Sequence, residues 1–178
     1  TYSLGVGNRS MLLGAEIQNP VCKEDSIKLT FKATNLDGQP VSVEGNYKLY
    51  PVVGGAKSEE VMKGTPAYTG TFVSNKETLL PGWTSVPSGE YLLVMSAKDD
   101  QGREVTGEEE VILFSIKDKR PPVDKAIWYY AENTSFDAAH PAVFYFGTSK
   151  KDAYVMMNLF SGNRMLESKV LRLSDSIE

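Results

Sequence analysis

The sequence predicts an all-β protein built as two antiparallel β-sandwiches in tandem, the second one partial. Three observations carry this. Apolar residues recur with period two rather than 3.6 in most of the regular segments. Clusters of Asn, Asp, Gly and Pro punctuate these segments at short intervals. No stretch of ten or more residues shows an amphipathic helical stripe with a cap.

Met11 to Gln18 reads as a first, weaker strand. From Ser26 to Ala33 the alternation is strict, with Ile27, Leu29, Phe31 and Ala33 on one face and Ser26, Lys28, Thr30 and Lys32 on the other. Val41 to Leu49 repeats it, with Val41, Val43, Tyr47 and Leu49 opposing Ser42, Glu44, Asn46 and Lys48. Between them lies Asn35-Leu36-Asp37-Gly38-Gln39-Pro40, where Gly38 can take positive φ, so the two runs are expected to pair as a hairpin. Thr71 to Ser74 is a further strand. Tyr91 to Ala97 is apolar on both faces through Leu92, Leu93, Val94 and Met95, as a central strand covered on both sides would be. Asp99-Asp100-Gln101-Gly102 turns the chain into a β-branched and aromatic run, Val111 to Ile116.

Lys117 to Asp124, Lys-Asp-Lys-Arg-Pro-Pro-Val-Asp, reads as a short stiff linker, because consecutive prolines lack donors and restrain their neighbours. The expected domains are therefore 1–118 and 122–178. The second carries four strand-like runs, Ala126 to Ala131, Ala142 to Thr148, Tyr154 to Phe160 and Met165 to Leu173, with Ser161-Gly162-Asn163 as a hairpin turn. Nine of the chain's eighteen aromatics fall in it, enough for a small core of its own. Four strands make about half a sandwich, and so short a segment is marginal alone. It is expected to lean on the first domain, or to expose an unpaired edge whose completing strands lie beyond Glu178.

Composition narrows the function. The chain has 178 residues, 41% hydrophobic and 24% charged, an ordinary globular balance. A net charge of -4 argues against nucleic acid or an anionic membrane as the main partner. No apolar run is long enough for a membrane-spanning helix. One Cys and one His remove disulfide scaffolds and Cys/His zinc sites. The start at Thr1 without a signal pattern fits a mature product or an excised piece.

Several residues invite chemistry and are weighed against plainer roles. Cys22 could be a nucleophile, but a reactive thiolate needs a base or cation beside it, and the lone His140 is 118 positions away, so a structural thiol is favoured. His140, beside Pro141, reads as a turn residue. Gly5-Val6-Gly7-Asn8-Arg9-Ser10 has a dinucleotide-like spacing without the strand, the third glycine or the βαβ unit that the motif requires. Asp99, Asp100, Glu104 and Glu108-Glu109-Glu110 could attract a hard cation but lack calcium-loop spacing; a solvated turn and a charged edge strand explain them better. Trp128, Tyr129, Tyr130, Phe144, Tyr145 and Phe146 could form a platform for sugar rings, although alternation must send about half into the core. Asn8-Arg9-Ser10 and Asn133-Thr134-Ser135 fit the glycosylation pattern. No catalytic, cofactor-binding or metal-binding residue is assigned, and no cofactor is expected.

Leu36-Asp37-Gly38-Gln39-Pro40-Val41 resembles the turn that opens macroglobulin domains of the alpha-2-macroglobulin family. Val86 to Arg103, Val-Pro-Ser-Gly-Glu-Tyr-Leu-Leu-Val-Met-Ser-Ala-Lys-Asp-Asp-Gln-Gly-Arg, is similar to that family's recurrent L-P-x-G-x-Y-x-L-x-V-x-A-x-D-x-x-G-R stretch, with Val86 for the usual Leu. The second segment resembles the opening of another such domain, through a turn near Ala139-His140-Pro141 and then Phe146-Gly147-Thr148-Ser149. The bacterial members are the most similar in character. The resemblance implies Ig-like, macroglobulin-type sandwiches acting as non-catalytic spacers and contact surfaces in a large extracytoplasmic protein, whether periplasmic, outer-membrane-anchored or secreted. It implies neighbouring domains of that protein and proteases as partners. Cys22 lies in Pro-Val-Cys-Lys-Glu-Asp, not in the family's Gly-Cys-Gly-Glu-Gln, so no internal thioester forms here. The resemblance also raises a cleavable bait for the segment Pro51 to Gly70, against which an ordinary long loop is favoured. The alternative class is a cell-surface Ig-like spacer or glycan-binding adhesion module.

Overall fold

A computed structural model describes residues 10–132 and 135–178. The dinucleotide-like stretch at 5–10 and both glycosylation patterns fall wholly or partly outside these residues. The protein is all-β, with one four-residue α-helix and one short 3-10 turn among the described residues. It divides into two compact units, Thr1–Leu113 and Phe114–Glu178.

In the first unit, β1 (Met11–Glu16), β3 (Lys28–Asn35) and β6 (Glu77–Leu79) form a three-stranded antiparallel sheet in the order β1-β3-β6. The other sheet has the order β2-β8-β7-β4-β5: β2 (Val21–Cys22), β4 (Glu44–Pro51), β5 (Tyr68–Val73), β7 (Gly89–Lys98) and β8 (Glu104–Phe114). The alternation read from sequence becomes the interior directly. Leu29, Phe31 and Ala33 of β3 meet Tyr47 and Leu49 of β4, Leu93, Met95 and Ala97 of β7, and Val105, Val111 and Leu113 of β8 in one core. Phe31 stacks on Phe72 (ring centroids 4.3 Å apart) and on Tyr47 (5.2 Å), and Trp83 meets Tyr47 edge-on at 6.1 Å. Offset aromatic pairs of this kind add about 0.5–1.5 kcal/mol each beyond their burial. The close approach of Phe72 requires Gly45, where a Cβ would lie 2.5 Å from the Phe72 ring and from the Ser96 carbonyl oxygen.

The expected hairpin between the runs 26–33 and 41–49 is not the pairing found. The turn forms, with Gly38 at φ 78°, and Val41 N donates to the Ala33 carbonyl at 2.9 Å. The two strands then enter different sheets. Pro40 has no N–H to continue the ladder, and the groups of the next residues are taken by another segment. Ser74 Oγ accepts from Val43 N (2.9 Å) and donates to the Val41 carbonyl (2.7 Å). Asn75, at φ 60°, donates from Nδ2 to the Val41 (2.9 Å) and Ala33 (3.2 Å) carbonyls. Ser74 and Asn75 thereby stitch the two sheets where the chain passes from β5 to β6.

Tyr91 to Ala97 is central, as expected: β7 lies between β8 and β4. Its outer face, Leu92 and Val94, is covered by the connection between β4 and β5, whose helix α1 (Ser58–Val61) sets Val61 against Tyr50 and Leu92. On β8, where β2 spans two residues only, the side-chain amide of Asn19 takes a strand's place. Its Nδ2 donates to the Glu110 carbonyl (3.0 Å) and its Oδ1 accepts from Ile112 N (2.9 Å).

In the second unit, β9 (Trp128–Ala131), β10 (Phe144–Thr148) and β13 (Ser176–Ile177) form a sheet ordered β13-β10-β9. β11 (Ala153–Ser161) and β12 (Arg164–Leu173) form a separate hairpin, turning at Gly162 with φ 57°. Phe114 packs edge-on against Trp128 (5.1 Å) and Tyr130 (4.5 Å). The Pro-containing stretch after Phe114 belongs to this unit: Ile177 N donates to the Lys119 carbonyl (3.1 Å), Arg120 pairs with Asp175 (3.0 Å), and Val123 is buried. Strand β13 carried no signal in the sequence, since two paired residues are too few for a period.

Candidate functional site

The stretch from Val86 to Arg103 is the most motif-like in the chain, and the structure shows what its residues do. Gly89 opens β7, and the Tyr91 hydroxyl donates back to the Pro87 carbonyl at 2.8 Å. This is the geometry of a tyrosine corner, in which a buried phenol pins the entry of a strand. Burial pushes the Tyr91 phenol up from its ordinary pKa.

At the other end of β7, Asp99 closes the turn into β8. Its Oδ1 accepts from Gln101 N and Arg103 N, each at 2.9 Å. Its Oδ2 accepts from Arg103 Nε and the Ser10 hydroxyl, both at 2.9 Å. Gly102 supplies the positive φ of 76° that the turn needs. Burial pushes the Asp99 carboxyl up, but the Arg103 backbone N–H, the Ser10 hydroxyl, the Arg103 guanidinium and the Gln101 N–H outweigh it and hold the pKa at about 2. The expected solvated turn is therefore corrected at this residue: Asp99 is 8% exposed and serves the fold as an internal acceptor. Asp100 shares the Ser10 hydroxyl at 3.2 Å, and Glu104 accepts from Ser96 Oγ at 2.6 Å. Among the described residues no three His, Cys, Asp or Glu side chains converge to hold a metal ion.

Cys22 is buried and free, with Sγ 3.4 Å from Glu24 Oε2. Burial first, and then the nearby carboxylates of Glu24 and Asp25, push its thiol up to about 11. A thiol so placed is protonated at neutral pH and is a poor nucleophile. His140 sits in an exposed turn in which Asp137 Oδ1 accepts from Ala139 N and His140 N at 2.8 Å each, with His140 Nδ1 at 3.2 Å.

The six aromatics divide by the pleat. Trp128 and Tyr130 are buried toward Phe114, and Tyr145 tilts against Tyr130 at 6.3 Å. Tyr129 is 66% exposed, and β10 places Phe146 opposite it. Phe144 and Phe146 lie 6.4 Å apart on that same face. A sugar platform reduces to these three rings.

The segment from Pro51 to Gly70 is a folded connection. Gly54 and Gly55 turn it at positive φ, and Val61 anchors it to the sheet. In the first unit an open groove of about 820 Å³ lies between the edge strands β5 and β6, lined by Glu44, Asn46, Phe72, Lys76, Glu77 and Leu79 among others. Lys28 pairs with Glu77 at 3.1 Å.

These features define the class: an all-β, sandwich-type protein whose motif residues are spent on corners and turns. No protein-family model matches the chain, and no curated protein does. Among solved structures it is similar to the native conformation of E. coli alpha-2-macroglobulin, with a TM-score of 0.42 and 14% identity, over 96% of this chain and 14% of that one. The chain thus spans a small fraction of that protein's length. The all-β assignment stands on the strand ladders, independently of this likeness.

Proposed function

We propose that the chain supplies non-catalytic structural and interaction domains to a large extracytoplasmic protein resembling alpha-2-macroglobulin, where it contributes to protease entrapment or inhibition. The observation that carries the non-catalytic reading is the saturation of the motif residues. Tyr91, Asp99 and Arg103 direct their polar atoms into the corner and the turn, and the Cys22 thiol is buried and protonated. A rigid sandwich with stitched sheets suits a spacer and docking surface. The placement outside the cytoplasm and the protease partner rest on the sequence resemblance of residues 36–41 and 86–103.

The test uses the protein expressed from its complete open reading frame and a panel of endopeptidases. Entrapment predicts complexes that co-migrate in size exclusion and still cleave a small peptide substrate while sparing a large protein one. Loss of large-substrate protection across the whole panel refutes the protease role. A second reading, a cell-surface Ig-like spacer or glycan-binding module, is favoured by the face that carries the exposed Tyr129 and Phe144 and the half-buried Phe146. It predicts retardation in polysaccharide-containing gels that Tyr129→Ala abolishes. Both tryptophans are buried, so indole fluorescence is the wrong probe for that face.

A further inference from the structure

The hairpin of β11 and β12 leaves large apolar side chains in water. Tyr154 is 69% exposed, Met156 67%, Val170 58% and Leu166 54%. Among the described residues neither strand has a second partner, so both outer edges carry unpaired backbone groups. An open edge and an apolar face alone do not say what covers them. The sequence of β12 does.

Antiparallel pairing of two β12 strands about a two-fold axis at Ser168 sets Glu167 of each copy opposite Lys169 of the other, so the two opposite-charge pairs form at once. Leu166 is the extra residue at which β12 bulges against β11, so the regular pairing about this axis covers Glu167 to Lys169. Moving the axis one residue either way puts Glu167 on Glu167 or Lys169 on Lys169, and like charges directly opposite are destabilising. The register is therefore specified by charge. The outer edge of β11, Ala153 to Ser161, contains no ionisable group but Tyr154 and specifies none. Arg164 lies beyond the bulge, and the Arg172 charge is met by Asp152 at 2.7 Å and lies 6.0 Å over the Tyr154 ring.

We propose that the β12 edge is a homodimer interface, in which a second copy of this chain adds its own β12 antiparallel about Ser168. Such an isologous contact closes on itself and does not propagate into a filament from that edge.

The experiment is sedimentation analysis of the full chain from about 1 μM to about 1 mM, the range in which a small edge contact populates both states. Variants Glu167→Lys and Lys169→Glu are measured separately and mixed, with circular dichroism to confirm that each folds. The expected result is concentration-dependent dimerisation of the wild type. Each variant alone is expected to weaken by about 10-fold or more, since two attractive cross-strand pairs become repulsive. The mixture is expected to recover dimer, because the first variant carries two positive charges at these positions and the second carries two negative ones, so every cross-strand pair between them is again attractive. A wild type that stays monomeric throughout overturns the proposal. Variants that dimerise as the wild type does, or a mixture that recovers nothing, overturn it equally.

Discussion

Replacing Tyr91 by Phe removes one oxygen and leaves the ring that fills the core. The hydroxyl is 2.8 Å from the Pro87 carbonyl, in a side chain 4% exposed. A net hydrogen bond contributes about 0.5–1.5 kcal/mol, and a carbonyl stranded without a partner adds to the loss, so the first unit should weaken by about 1–2 kcal/mol. With a urea slope of about 1.5 kcal/mol per molar for a unit of this size, the midpoint moves down by about 1 M at unchanged slope. Tyr129→Phe, at an exposed position, serves as the control and should move nothing. A Tyr91→Phe midpoint indistinguishable from wild type would mean that the corner bond does not hold β7 in place, and would remove the physical reason offered for the motif.

Three other expectations can be checked with the same preparation. Asp99 has its carboxyl depressed to about 2 from an ordinary 3.8, so its contribution to stability is fully present above about pH 4 and is lost as pH falls toward 2; Asp99→Asn should flatten urea midpoints across that window, and an unaltered pH dependence would contradict the assignment. The Cys22 thiol, pushed up to about 11, presents about one thiolate in a thousand at pH 8, so a disulfide reagent should label it slowly in the native protein and completely in urea; rapid native labelling would contradict its burial. A fragment of residues 122–178 lacks Phe114, the edge-on partner of Trp128 and Tyr130, and should give a collapsed, poorly dispersed amide spectrum; a well-dispersed one would show that the second unit's core does not need that ring.

Much of the architecture was legible because burial on one face imposes a period of two. Leu29, Phe31, Ala33, Tyr47 and Leu49 could be placed inside from the alternation alone, and the two-sided apolar run of β7 announced a covered central strand. The partner of each strand was not legible. Alternation says which side chains face inward but not which neighbour supplies the backbone bonds, and the Gly38 turn looks the same whether the chain pairs back or crosses over. The deciding groups, Ser74 Oγ and the Asn75 amide, come from more than thirty residues downstream. The role of Asp99 was hidden for a similar reason: one of its four donors, Ser10, lies 89 positions upstream. In the second unit, the sorting of Trp128 and Tyr130 inward and Tyr129 outward followed the alternation.

Asn75 is asked for two things at once. Its backbone sits where glycine would rest most easily, yet its amide must donate to the Val41 and Ala33 carbonyls, which glycine cannot do. Aspartate keeps the shape but loses the donor, and alanine loses both. As the gene drifts, this site has almost no vocabulary: one letter satisfies it, and any other spelling loosens the seam that decides which layer each half of the chain enters.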